Sequence, residues 1–159
     1  MKVIQKLSTN WLSLLVNHMG TTIQGWIEIE FSTCPGKWYA VVRLEPFVGI
    51  RDFIAEALFG YSRGPCILEP LAPDRGVPDD LSHIAAKEIE GKKIHEGYHS
   101  HTFILYSEIK KIDWKSIEKE IEEPIIWDDW GIVFKFLETL SLDPRLGPEH
   151  VRIITWLYS

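Results

Sequence analysis

The chain has 159 residues, 45% of them hydrophobic and 25% charged, with a formal net charge of −6. That length suits one domain with a substantial core. The acidic balance, with basic residues interspersed among acids, excludes whole-surface attraction to a polyanion such as nucleic acid, and no apolar run reaches the roughly 18 residues needed to span a bilayer. Local binding of a phosphate or carboxylate stays open. Cys34 and Cys66 form no disulfide framework; one bridge between them is open, but two buried, reduced thiols are the more common case. The N-terminus lacks a signal-peptide cleavage pattern, and the protein reads as cytoplasmic.

Residues 1–18 place Ile4, Leu7, Trp11, Leu14 and Leu15 on one side of a helix. This amphipathic extension has three readings. It docks on the domain or on a second copy, making a homodimer; it lies on a membrane surface, for which two lysines are few; or it precedes a start at Met19. The remaining residues, 19–159, read as one domain.

From Thr21 the period is two. Ile23, Gly25, Ile27, Ile29 and Phe31 take one face, and Gln24, Glu28 and Glu30 the other, which predicts a strand half exposed to water. A turn at Cys34–Lys37 leads to a second strand with Trp38, Ala40, Val42 and Leu44 on one face, so the two make an antiparallel hairpin. Ile50, Phe53, Ile54, Ala57 and Leu58 predict a helix that Gly60 stops. Residues 61–79 hold four prolines and two glycines and read as a long loop. Asp79 or Asp80 then caps a helix carrying Leu81, Ile84, Ala85 and Ile89.

Tyr98–Tyr106 reads as a strand. Ser107 caps a brief helical turn, and Asp113 caps a helix with Trp114, Ile117 and Ile121. Pro124 opens a longer helix with Ile126, Trp130, Val133, Phe134, Leu137 and Leu140 along one side. Val151–Tyr158 is apolar on both faces and predicts an interior strand. The fold class is α+β, a mostly antiparallel sheet with helices packed against it.

Candidate chemistry concentrates between Arg75 and Asp113. In a regular strand His99 and His101 share a face, where two imidazoles can converge on a divalent metal given a third ligand. The competing reading has them bonded to loop carbonyls. Arg75, before Gly76, offers a planar fork for a carboxylate or phosphate. The competing reading is a turn in which Asp80 caps the helix and pairs with Arg75. Arg51 and Arg63 flank the long loop and add positive charge to a pocket there, or form surface ion pairs. Nucleophilic catalysis has little support, because alternation points Ser100 away from both histidines and Cys66 has no evident partner.

Several of these segments form an ordered set. Arg75-Gly76-Val77-Pro78-Asp79-Asp80-Leu81-Ser82 is followed by His99-Ser100-His101-Thr102-Phe103, by Asp113-Trp114 and by Val151-Arg152-Ile153-Ile154-Thr155-Trp156, with Arg51-Asp52-Phe53-Ile54 as a looser match. In this the chain resembles a family of small uncharacterised bacterial and phage proteins. The resemblance covers residues 19–158 and implies no reaction. It places the family's usual start at Met19. Thr22 and Gln24 stand where the family carries an acid and a histidine, and Tyr158 where it carries a terminal acid. If the family holds metal with those groups, this chain lacks part of the set.

Three functions follow as expectations. The first is a binding protein, phage-associated by the resemblance, holding a small anionic ligand or a partner-protein loop near Arg75, Asp80, His99 and His101. The second is a metal-dependent hydrolase using His99 and His101. The third is a structural module that dimerises through the N-terminal helix.

Overall fold

The computed structural model describes residues 21–48, 53–61, 66, 68–92 and 97–159. The predicted N-terminal helix, the expected start at Met19 and Ile50 of the predicted second helix lie outside them. Among the described residues, four strands form one fully antiparallel sheet: β1 (Thr22–Glu30), β2 (Trp38–Arg43), β3 (Tyr98–Leu105) and β4 (Val151–Tyr158), in the order β2-β1-β4-β3. Five helices accompany them: α1 (Phe53–Phe59), α2 (His83–Lys92), α3 (Tyr106–Ile109), α4 (Trp114–Ile121) and α5 (Asp128–Ser141). The architecture is the single-domain α+β fold expected, with helices on both faces of the sheet.

The larger core lies on the face of Ile23, Ile27 and Ile29 of β1 and Val151, Ile153 and Leu157 of β4. Helices α1 and α5 close it with Ile54, Leu58, Trp130, Val133 and Leu137, all fully buried. Each such side chain contributes roughly 1.5–3 kcal/mol of apolar burial. A smaller core sits on the opposite face, where α2 sets Ile89 against Ile154 and Trp156, with Trp26 and Phe103 alongside. β4 is therefore interior, as its two apolar faces predict. Gly25 lets it approach β1: a Cβ there would lie 2.0 Å from the Ile154 carbonyl oxygen.

Several local expectations are corrected. The polar face of β1 is largely withdrawn from water: Glu28 is buried against the Ser82 N–H at the start of α2, and Glu30 against Gly36 and His150. The side chains of β2 do not share one face. A bulge sets Ile27 and Glu28 of β1 against Val42 and Ala40, so Val41 is the extra residue. Ala40 then faces α2, while Val42 and Leu44 join the larger core. Helix α2 is capped by Ser82, whose Oγ accepts the Ala85 N–H at 3.2 Å, and not by Asp79 or Asp80. Ser107 lies inside α3, whose first turn is held by Glu108 accepting the Leu105 N–H at 3.0 Å. Asp113 caps α4 as expected, accepting the Ser116 N–H at 3.1 Å. Ile126 precedes α5 and is 69% exposed, outside its apolar stripe. Both cysteines are free and exposed, not buried.

Candidate functional site

The Arg75 bend does fold back beside the histidine strand. The Gly76 N–H donates to the His101 carbonyl at 2.8 Å, and Thr102 Oγ1 donates to the Ala72 carbonyl at 2.6 Å while accepting the Arg75 N–H at 3.2 Å. The guanidinium, however, is already engaged. It reaches both Glu108 oxygens at 3.0 and 2.8 Å and the carbonyls of Leu71 and Phe103 at 3.0 and 3.3 Å. Arg75 thus pairs with Glu108 and not with Asp80. Burial pushes the Glu108 carboxyl up, but the Arg75 hydrogen bond and the Leu105 N–H outweigh it and hold the pKa below its ordinary value. A planar fork satisfied by a bidentate carboxylate is a clamp between loop and helix.

The histidines do not share a face. His99 pairs with Leu157 and Thr102 with Thr155, so three steps along β3 match two along β4. Ser100, at φ +54°, takes up the extra residue. His99 therefore lies on the Leu157 side, exposed, with its ring nitrogens 2.9 Å from Ser100 Oγ and 3.1 Å from Ser159 Oγ. His101 stacks on Trp156 from the other side, ring centroids 6.1 Å apart. Tyr61 holds the bulge by donating its hydroxyl to the Ser100 carbonyl at 2.5 Å; burial pushes its phenol well above the usual range. Two rings on opposite faces do not converge on one ion, and no group of three His, Cys, Asp or Glu among the described residues is arranged to hold a metal. Arg51 and Arg63 lie outside the described residues.

The densest polar constellation lies instead beneath the loop that leads into α2. Arg152 and Glu28 are direct cross-strand partners, 3% and 0% exposed at their side chains, with Nε to Oε2 at 2.9 Å. Arg152 also reaches Asp80 Oδ1 at 2.7 Å and the Asp80 carbonyl at 3.1 Å. Its guanidinium lies 3.8 Å from the centroid of the Trp38 ring, whose N–H donates to Asp80 Oδ2 at 2.9 Å. The remaining Glu28 oxygen accepts the Ser82 N–H at 3.1 Å. At the neighbouring register, Glu30 meets His150 Nδ1 at 2.8 Å. Burial raises the Asp80 carboxyl, but the Arg152 hydrogen bond and charge, with the Trp38 N–H, outweigh it and lower its pKa. Sequence reasoning named Asp80 but missed Arg152, Glu28 and Trp38. One signal was present: a lone arginine in an otherwise apolar interior strand requires a buried acid opposite it.

Above this network, β2 and the start of α2 border an open groove of about 360 Å³, walled by Lys37, Trp38 and Ala40 on one side and Leu81, His83 and Ile84 on the other. It continues past His83 and Ile84 to Trp26, Arg43, Lys87 and Glu88. Glu88 is engaged there: it accepts the Trp26 N–H at 2.8 Å, meets Arg43 at 2.7 Å and pairs with Lys92. Burial raises its pKa, and these partners, Lys92 first, bring it below the ordinary value. Lys37, His83 and Lys87 stand exposed along the rim. A further apolar hollow, of about 410 Å³ between Leu68, Leu71, Ile112 and Ile117, adjoins residues outside the described set. No helix among the described residues is long and apolar enough to cross a membrane. The chain matches no family model, no curated protein and no solved structure, so the reading of this groove rests on its own geometry.

Proposed function

We propose that the chain is a binding protein that receives a segment of a partner protein in the groove between β2 and α2. The observation that carries this reading is the contrast between the groove and the groups beneath it. The walls are open and mostly apolar, with Lys37 and His83 at the rim, while the charges under them, Arg152 with Glu28 and Asp80, are paired with one another. General acid–base chemistry favours a group that titrates near the working pH. The carboxylates beneath and beside the groove, Asp80 and Glu88, are shifted away from neutrality, because cations and N–H donors hold them ionised. The arrangement resembles a rigid recognition surface, in which polar groups fix a side-chain wall and apolar groups meet the ligand. Relative to the sequence expectation, the binding reading is kept and its location moves. The Arg75 bend and the histidines belong to the β3 edge, and Asp80 belongs to the ion-pair network beneath the groove.

The test compares wild-type protein with Ala40→Trp, which fills the groove, and Ile84→Glu, which charges its wall. Lys115→Glu on α4 is the control. Each is used to capture partners from cell extract, and any captured protein is purified and titrated back by calorimetry. The expected result is a partner bound by wild type and the control and weakened at least about tenfold by both groove variants. Equal binding to all four proteins overturns the reading. A thermal shift with inorganic phosphate that is lost in Lys37→Ala/Lys87→Ala, with no protein captured, replaces the protein partner with a small anion.

A further inference from the structure

We infer that the groove's occupant is an extended, acidic segment that adds to the sheet as a strand on the outer edge of β2. This deepens the groove reading above and rests on it. An antiparallel sheet ordered β2-β1-β4-β3 has two edges, and the fold treats them differently. The β3 edge is met by the Arg75 bend, through Gly76 N–H to the His101 carbonyl and Arg75 Nη1 to the Phe103 carbonyl. Among the described residues, no main-chain or side-chain group from outside the sheet bonds the backbone of Trp38–Ala40. Unpaired edge N–H and C=O groups are a template for another strand, and natural sheets commonly blunt such edges with charge. On β2 the charges Lys37 and Arg43 and the bulge at Val41 stand at the ends of the edge, and between them Trp38–Ala40 carries the exposed ring of Tyr39, 37% exposed.

The side-chain pattern fits an added strand. Successive residues of the incoming segment point to opposite faces. On the α2 side, every second residue meets the recess above the small Ala40, between Trp38 and Ile84. On the other side, the alternate residues meet Tyr39. The bulge at Val41 interrupts the edge, so regular pairing is confined to Trp38–Ala40 and its register is set there. Main-chain pairing supplies affinity in this mode, and the recess supplies selectivity.

The charge selects the partner. The chain is acidic overall, at −6, yet Lys87 stands exposed on the α2 side of the groove and Lys37 stands exposed at the edge with its Nζ 5.4 Å from the centroid of the Tyr39 ring, while the neighbouring acids Asp80 and Glu88 are matched by Arg152 and by Lys92 and Arg43. An acidic strand is attracted and a basic one repelled. The same lysines oppose pairing of two β2 edges from two copies of this chain, which would bring like charges together.

The experiment uses fluorescein-labelled decapeptides and the full chain, read by fluorescence anisotropy. One peptide alternates valine and glutamate, a second alternates valine and lysine, and a third is the acidic peptide with alternate amides N-methylated. The acidic peptide is expected to bind. N-methylation, which removes strand pairing but keeps the side chains, is expected to weaken it at least about tenfold, as is Lys37→Glu/Lys87→Glu. That charge-reversed variant is expected to take the basic peptide instead, which a misfolded protein would not do. Equal binding of the N-methylated peptide overturns strand addition while leaving the groove reading intact. Binding of the acidic peptide that is unchanged by Ala40→Trp and by the lysine reversals overturns both. Failure of the acidic peptide to bind, or a dimer dissolved by Val41→Lys, overturns strand addition alone, because partner capture tests the groove separately.

Discussion

Arg152 is the residue on which the second face of the sheet depends. It is buried among Glu28, Asp80 and the Trp38 ring, and each of its charge partners comes from a different part of the chain. Removing one member of a buried ion pair leaves the other uncompensated, at a cost of about 3–5 kcal/mol. Arg152→Met is therefore expected to lower unfolding free energy by about that much in urea titration, and Arg152→Met/Glu28→Leu to recover part of it. A single variant as stable as wild type would show that the pair is not sealed from water. Arg75 illustrates the complementary limit of sequence reading. Its fork was legible as a carboxylate clamp, but its partner was not. Glu108 lies 33 residues away in the chain, and only the return of the 72–76 bend to the β3 edge brings it within 2.8 Å.

At the scale of elements, hydrophobic period found the strands and helices but could not see the two bulges. One extra residue in β2 moves Val42 to the larger core, and one in β3 separates His99 from His101. Neither Val41 nor Ser100 is a glycine, so nothing in the local sequence announces the break. Ser100 adopts φ +54°, a conformation that penalises side chains branched at Cβ. Ser100→Val is expected to lower stability by about 1–2 kcal/mol, and Ser100→Gly to be tolerated, both measured by thermal unfolding. Equal tolerance of valine would mean that β3 re-registers without the bulge. The helix caps were read with mixed success for a related reason. Asp113 caps α4 because it has no stronger partner nearby, whereas Asp80 is taken by Arg152 and Trp38 and leaves the cap of α2 to Ser82.

Across the whole molecule, three salt-bridged carboxylates tie loops and helices together: Asp80 to β4, Glu108 to the Arg75 bend and Glu88 to β2 and within α2. All three have pKa values below their ordinary ones. The unfolded chain takes up protons at about pH 4, before the folded one does. Their contribution is thus fully present above that pH and is lost as the pH falls through the depressed folded values. Urea midpoints are expected to agree at pH 7 and 5 and to drop between pH 4 and 3, less steeply in Asp80→Asn than in wild type. An unchanged midpoint at pH 3 would remove these pairs from the account of stability.

The α+β class, the interior position of β4, helices α1, α4 and α5 and the cap at Asp113 were all written in local pattern. They depend on period, propensity and end signals that act over a few residues. Which face of β1 meets water, which acid Arg75 holds and where the groove lies were decided only by tertiary structure. A buried glutamate and an exposed one are the same letter in a period-two pattern. The difference is made by residues 80–92 crossing that face and by Arg152 arriving from the last strand to neutralise it.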